Sequence, residues 1–195
     1  FGTVSVREVL RETEAFGKFW SEVIWREFFM SILYHFPHVQ NRAFKEIYGD
    51  FIWKNNEVDF QKWCEGNTGY PIVDAGMREL NATGYMHNRV RMITASFLIK
   101  HLQIDWRWGE AYFAEKLLDF DLALNNGNWQ WVAGTGVDAS PSYRVFNHYL
   151  QQEKFDKQFK YIKKWIPEFN TSAYPNPMVE HDVARKEYLE KLKKK

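Results

Sequence analysis

Asp119-Phe120-Asp121 opens a dense polar stretch that runs through Asn125-Asn126-Gly127-Asn128 to Trp129-Gln130-Trp131. Carboxylates and amides cost free energy to bury unless they are paired. Indoles bury readily and stack on flat partners. On a helix, Trp129 and Trp131 cannot share a face. One can enter a core while the other meets a cavity. A large, flat ligand with a polar edge suits this combination. A Trp-rich helix packed between two neighbours is the alternative reading of the segment taken alone.

Two further faces carry mixed chemistry. Glu22, Trp25, Arg26 and Phe29 fall at i, i+3, i+4 and i+7, which is one side of one helix. A carboxyl, an indole and a guanidinium there suit recognition, although Glu22 and Arg26 could equally form an exposed ion pair. Asn88, Arg91, Met92 and Ala95 make a similar face, with Arg89 turned aside where it can meet phosphate. The Asn88 amide offers both donors and an acceptor to a base or purine edge. Asp119 and Asp121 could form a metal pair, but without further hard ligands at a recognisable spacing the pattern is weak. Pairing with Arg91, or hydrogen bonding to a cofactor edge, is more economical. His35, His38, His87, His101, His148 and His181 have no metal-ligand spacing, so no metal is expected. The sequence contains no Ser/His/Asp signature, no glycine-rich phosphate loop and no cysteine nucleophile motif.

The elements that must position these groups are helical. Ser5-Val6-Arg7-Glu8 reads as a capping box that starts a helix toward Phe16. Lys18 to Phe36 has helical apolar spacing and stops before Pro37. A short helix near Asp59 to Glu65 ends at Gly66, and Pro71 opens another that ends near Gly84. His87 to Gln103 and Gly109 to Leu118 follow, and Asp121 can cap the helix that carries the two indoles. Phe155 to Trp165 and Val179 to Lys195 read as helical again, with the loop Asn170 to Pro177 detaching the last helix from the core. No alternating strand run and no repeat interrupts this pattern, so the expected fold class is all-α. The expected division is a helical body over 1–170, followed over 171–195 by a loop and a basic helix.

Composition narrows the function classes. Nine Trp, ten Tyr and sixteen Phe favour stacking on planar ligands or bases, although aromatics also fill cores. A formal net charge of +1 gives no global basic field, so nucleic-acid binding would need a local patch. Cys64 is the only cysteine, which excludes an intrachain disulfide and fits a reducing compartment. No apolar run approaches a membrane span, and no signal-peptide pattern opens the chain. The chain begins at Phe1 without Met and reads as a fragment.

Four ordered stretches together resemble the helical flavin-binding domain of the DNA photolyase/cryptochrome family. They are Trp20-Ser21-Glu22-Val23-Ile24-Trp25-Arg26-Glu27-Phe28-Phe29, Gly69 to Arg78, Met86-His87-Asn88-Arg89-Val90-Arg91-Met92, and Asp119 to Trp131. The resemblance is greatest to enzymes of the class I cyclobutane pyrimidine dimer branch. It implies light-driven repair, in which reduced FAD donates an electron to a dimer flipped out of double-stranded DNA.

Carried over by motif, the resemblance implies that Trp25 and Trp131 bracket the dimer and that Glu22 hydrogen-bonds its carbonyl. Asn88 and Met92 line the same space. Arg91 pairs with Asp119 beside the flavin. Asp119, Phe120 and Asp121 contact the isoalloxazine edge, and Asn125 faces its N5. Phe19 stands where some members place a flavin-contacting Trp. Trp53, Trp106 and Trp129 match an electron relay from the surface. Arg26, Arg89 and Gln151 fall on the DNA side.

Within the resemblance, Asn125, Met92 and Trp131 favour dimer repair over the signalling cryptochromes, and Met92 favours it over (6-4) repair. The alternatives are a blue-light signalling flavoprotein and a cofactor-free DNA-binding module. In Asn147-His148-Tyr149-Leu150-Gln151, His stands where members commonly have Pro, which leaves the local loop open. The family's N-terminal α/β antenna domain, with its own chromophore, and the Thr/Ser-rich loop that cradles the FAD phosphates have no counterpart here. Weak retention of FAD by this chain is therefore the expectation. A cytoplasmic, nucleoid-associated monomer with no membrane partner completes it.

Overall fold

The computed structural model describes residues 3–13, 15–45 and 51–193. All regular structure among these residues is helical, as the periodicity implies: ten α-helices and a 3-10 turn at Pro37–Gln40, with no strand. No helix among them is long and apolar enough to cross a membrane.

Side-chain caps and left-handed residues set most boundaries. α1 spans Val6–Glu12, and its Ser5 makes no side-chain capping bond, so the capping box expected there does not form. α1 buries no residue. Without packing to extend it, the helix stops short of Phe16. α2, Gly17–His35, ends just before the Pro37 turn. α3, Glu57–Glu65, begins where the Asn56 side chain accepts from the Val58 and Asp59 amides, and it ends at Gly66 with φ 65°. α4, Pro71–Thr83, has proline in its first turn, where no amide bond is forfeited.

α5, Asn88–Lys100, is capped by the His87 ring, and α6, Trp106–Lys116, by Asp105. α7, Leu122–Ala133, starts as expected, with the Asp121 carboxylate accepting from the Leu124 amide at 3.1 Å. The region read as one helix from Phe155 to Trp165 is divided differently. α8 spans His148–Phe155 and α9 spans Lys160–Trp165. Between them the Asp156 carboxylate accepts from the Tyr161 and Ile162 amides. Gln151 therefore lies on a helix rather than in a loop. Asn147 caps that helix through the Tyr149 and Leu150 amides. A proline at the next position would forfeit only an amide that is unpaired anyway, so His148 starts the same turn without it.

α4 and α5 form the centre. α5 is buried without interruption from Ile93 to Lys100, and α4 buries Ile72, Val73, Ala75, Met77 and Leu80. A helix apolar on most sides needs neighbours on most sides, and α3, α6, α7, α8 and α9 supply them.

α10, His181–Lys193, is not detached. The Tyr174 hydroxyl donates to Asp74, and the Met178 amide donates to the Thr68 carbonyl at 2.9 Å. The Tyr70 hydroxyl donates to the Val179 carbonyl at 2.8 Å, and Ala184 and Tyr188 are buried. Asp74 is itself fully buried and also accepts from Thr68 and Gly69, so the 170–177 loop is tied to the core through one carboxylate.

Two glycines let α7 approach its neighbours. A Cβ on Gly127 would overlap the Phe29 ring of α2, and a Cβ on Gly109 of α6 would overlap the Trp129 indole. These approaches bring the two chemically mixed helix faces toward the Asp119–Trp131 segment.

Candidate functional site

α2, the start of α5, the 117–121 turn and α7 enclose a cavity of about 650 Å³. That is within the range of about 300–1,000 Å³ usual for small-molecule sites. α2 contributes Phe19, Glu22, Trp25, Arg26 and Phe29. α5 contributes Asn88, Arg91, Met92 and Ala95, and the turn contributes Asp119, Phe120 and Asp121. Asn125, Trp129 and Trp131 come from α7. Both helix faces and the polar segment thus line one space.

Arg91, Asp119, Asp121 and Asn125 on this lining are engaged by the protein. The Arg91 Nη2 lies 2.8 Å from an Asp119 oxygen, and its Nε donates to the Met86 carbonyl at 2.6 Å. The guanidinium also lies 5.7 Å from the centre of the Tyr85 ring. Asp119 is well exposed, so this pair fixes orientation more than it adds stability. With Asp119 on Arg91 and Asp121 on the α7 cap, the two carboxylates have separate partners, which is the pairing weighed above against a metal.

The Asn125 amide nitrogen donates to the Glu110 carbonyl at 3.0 Å and to its carboxylate at 2.8 Å. The carbonyl can only accept, so the amide nitrogen must point that way. Burial pushes the Glu110 carboxyl up, and the Asn125 hydrogen bond opposes the rise. Sequence reasoning missed Glu110. It lies on a different helix from Asn125, fifteen residues away, and no periodicity links the two. Tyr85, Met86, Phe113, Leu117, Leu124, Asn128 and Val132 also line the cavity without having been singled out.

The three residues Trp129-Gln130-Trp131 take three directions. Trp129 is 3% exposed and packs edge-on to Phe113 and Trp63, with its cavity side uncovered. The buried Gln130 donates to the Val39 carbonyl at 2.9 Å and accepts from the Phe44 amide at 2.9 Å, which ties the chain after α2 to α7. Trp131 is half-buried on the cavity wall. Trp25, on the facing wall, stacks on Phe29 at 5.9 Å and remains 42% exposed, so much of the indole is open. Glu22 is exposed rather than sunk into an apolar wall.

Four of the expected site residues lie off the cavity. The Arg89 guanidinium sits 4.9 Å over the Phe155 ring of α8, and Gln151 is one turn earlier on that helix. Neither residue lines the cavity. Trp106 is buried at the start of α6, and Trp53 is half-buried with its ring 4.5 Å from Phe51.

Comparison with known proteins adds to this geometry. A family model described as the FAD binding domain of DNA photolyase matches residues 19–173. The chain is similar to the deoxyribodipyrimidine photo-lyase of Escherichia coli K12, at 47% identity over 194 residues, covering 89% of this chain and 41% of the relative. Among solved structures it is similar to an archaeal photolyase from Sulfolobus tokodaii with two FAD molecules. The TM-score is 0.94 at 45% identity, covering 100% of this chain and 48% of that one. It is also similar to a cryptochrome from Synechocystis, with a TM-score of 0.85 at 34% identity, covering 94% of this chain and 44% of that one. The chain spans less than half the length of these relatives.

Proposed function

The chain belongs to the family of FAD-binding domains of DNA photolyases, and from that premise we propose that it forms the flavin- and lesion-binding part of an enzyme that splits cyclobutane pyrimidine dimers in DNA under blue light. One observation carries this reading. A single cavity of about 650 Å³ is lined both by the polar groups suited to a flavin edge and by the open indoles suited to a base.

The residues fit the cofactor. Arg91, held by Asp119 and the Met86 carbonyl, presents a fixed cation, and Asn125, held by Glu110, presents an oriented amide. Asp121 and Phe120 complete that side, and Phe19 gives an aromatic face on α2. FAD when bound supplies, in its reduced form, the electron donor that blue light excites.

This chain's own residues receive the lesion. Trp25 and Trp131 offer stacking faces on opposing helices, which offset part of the cost of unstacking a flipped dimer. Glu22, Asn88 and Met92 line the same cavity, where the carboxyl and amide can hydrogen-bond pyrimidine edges and the thioether can pack against them. Arg26 at the rim, with Arg89 and Gln151 beyond it, would contact the DNA backbone, since such contacts set register rather than sequence. Trp129 lines the cavity, Trp106 is buried and Trp53 is half-buried, the gradient of exposure that a relay bringing electrons inward would need.

The test is illumination of the reduced, FAD-reconstituted parent protein with DNA that contains a thymine dimer. Repair under blue light is expected. No repair, combined with light-dependent binding of a protein partner, would assign the site to signalling. A parent that purifies without flavin and binds damaged DNA equally well after Asp121→Ala would leave only a DNA-binding module.

A further inference from the structure

Three histidines that repair chemistry leaves unused meet at the ends of three helices. His101 follows α5, His148 opens α8 and His181 opens α10. One nitrogen of each ring lies within 4.8 Å of one nitrogen of each other ring. None of the three lines the large cavity. His101 and His148 are each 1% exposed, whereas His181 is half-buried and opens the cluster toward solvent.

The hydrogen bonds identify the nitrogens that carry free lone pairs. His148 Nε2 lies 3.2 Å from the Ile93 carbonyl oxygen, which can only accept, so Nε2 holds the proton. His148 Nδ1 is then a bare lone pair, buried and without a partner. His101 Nε2 lies 2.8 Å from His181 Nδ1, and His101 Nδ1 is likewise buried without a partner. Ligation through His101 Nε2 takes the tautomer with the proton on Nδ1, and the metal bond must offset the cost of that buried, unpaired N–H. Burial keeps both rings neutral, pushing His101 down to about 2 and His148 down to about 3. Neutral imidazole is the ligating form. A backbone carbonyl that holds the far N–H is also the usual device for orienting a metal-bound imidazole.

Charges of both signs lie near the cluster. Glu180 and Asp182 flank His181 and act on the Tyr70 hydroxyl that packs against the cluster. Lys100, buried nearby, donates to the Arg144 carbonyl at 2.7 Å, and its charge opposes positive charge at His101.

The geometry points to a site for one divalent cation of the zinc class, held by His101, His148 and His181, with water in the fourth position. Three imidazoles with no oxygen ligand suit zinc rather than magnesium or calcium. Zinc–nitrogen bonds of about 2.0–2.1 Å at tetrahedral angles place ligand nitrogens about 3.3 Å apart. Ring rotation and a small shift of His181 close the observed spacing, and the His101–His181 hydrogen bond gives way to two metal bonds. Bound there, the ion ties the first turn of α10 to α5 and α8.

The test uses the untagged 195-residue chain, stripped with chelator and titrated with Zn²⁺ by calorimetry and with Co²⁺ by visible absorption. One equivalent per chain and the intense bands of four-coordinate Co²⁺ are expected. His181→Ala should keep the helical circular dichroism and weaken binding by at least the roughly 10–100-fold typical of losing a supporting contact. Nitrogen-15 spectra of histidine-labelled native protein should shift at His101, His148 and His181, a readout that needs no variant. The site is overturned by no stoichiometric binding, by shifts at His35, His38 or His87 instead, or by a His181→Ala chain of unchanged affinity.

Discussion

Trp131 and Trp53 separate the two roles proposed for the tryptophans. Trp131 stands half-buried on the cavity wall opposite the open Trp25. Replacing it with alanine is expected to weaken the parent's binding to dimer-containing DNA by about 1–3 kcal/mol, the worth of one stacking platform. Binding titrations with damaged and undamaged duplexes check this, and an unchanged affinity for damaged DNA removes Trp131 from the lesion site. Trp53 does not touch the cavity. Trp53→Phe in the FAD-loaded parent should stop photoreduction of oxidised flavin and leave repair by pre-reduced enzyme intact. Photoreduction at the native rate would reassign Trp53 to packing against Phe51. Residue types at short spacing made most of the lining legible, because Glu22, Trp25 and Arg26, or Asn88, Arg91 and Met92, lie together on any helix. Glu110 was not legible, because it reaches Asn125 only through the packing of α6 on α7.

The site exists because α2, α5 and α7 approach closely, and Gly127 is the most exacting point of that approach. A side chain there meets the Phe29 ring of α2. Gly127→Ala is expected to destabilise the parent by about 1–3 kcal/mol, as overpacking does, despite alanine's better helix propensity. Chemical denaturation measures the loss, and a stabilised variant would show that α2 yields freely. Glycines and a cap made the ends of α3 and α4 and the start of α7 readable, since Gly66, Gly84 and Asp121 act through their own backbone angles or neighbouring amides, whereas the Asn56 cap that starts α3 two residues before Asp59 was missed. α8 escaped notice although Asn147 caps it in the same way. Its eight residues bury only His148, which leaves no apolar stripe to read.

The buried histidines give the whole molecule a pH dependence. His101 and His148 are held near 2 and 3, below the ordinary histidine value of about 6.5. Between those limits the unfolded chain binds more protons than the folded one, so stability is complete above about pH 6.5 and falls as pH drops. Each ring contributes up to about 1.4 kcal/mol per pH unit in that window. Asp74 and Glu110, whose carboxyls burial pushes up, act in the opposite sense, from the ordinary carboxylate range upward. Urea midpoints measured with chelator should decline from pH 7 to pH 5, and a flat profile would contradict burial of neutral imidazoles. Sequence alone determined the helical class, most helix positions and the grouping of residues on two faces. These follow from periodicity and capping, which act over a few residues. Tertiary structure decided that the two faces and the polar segment share one cavity, that Asp74 ties down the C-terminal loop, and that three widely separated histidines meet. Those relations depend on where helices cross, and helix crossing is set by side-chain interdigitation across the whole core.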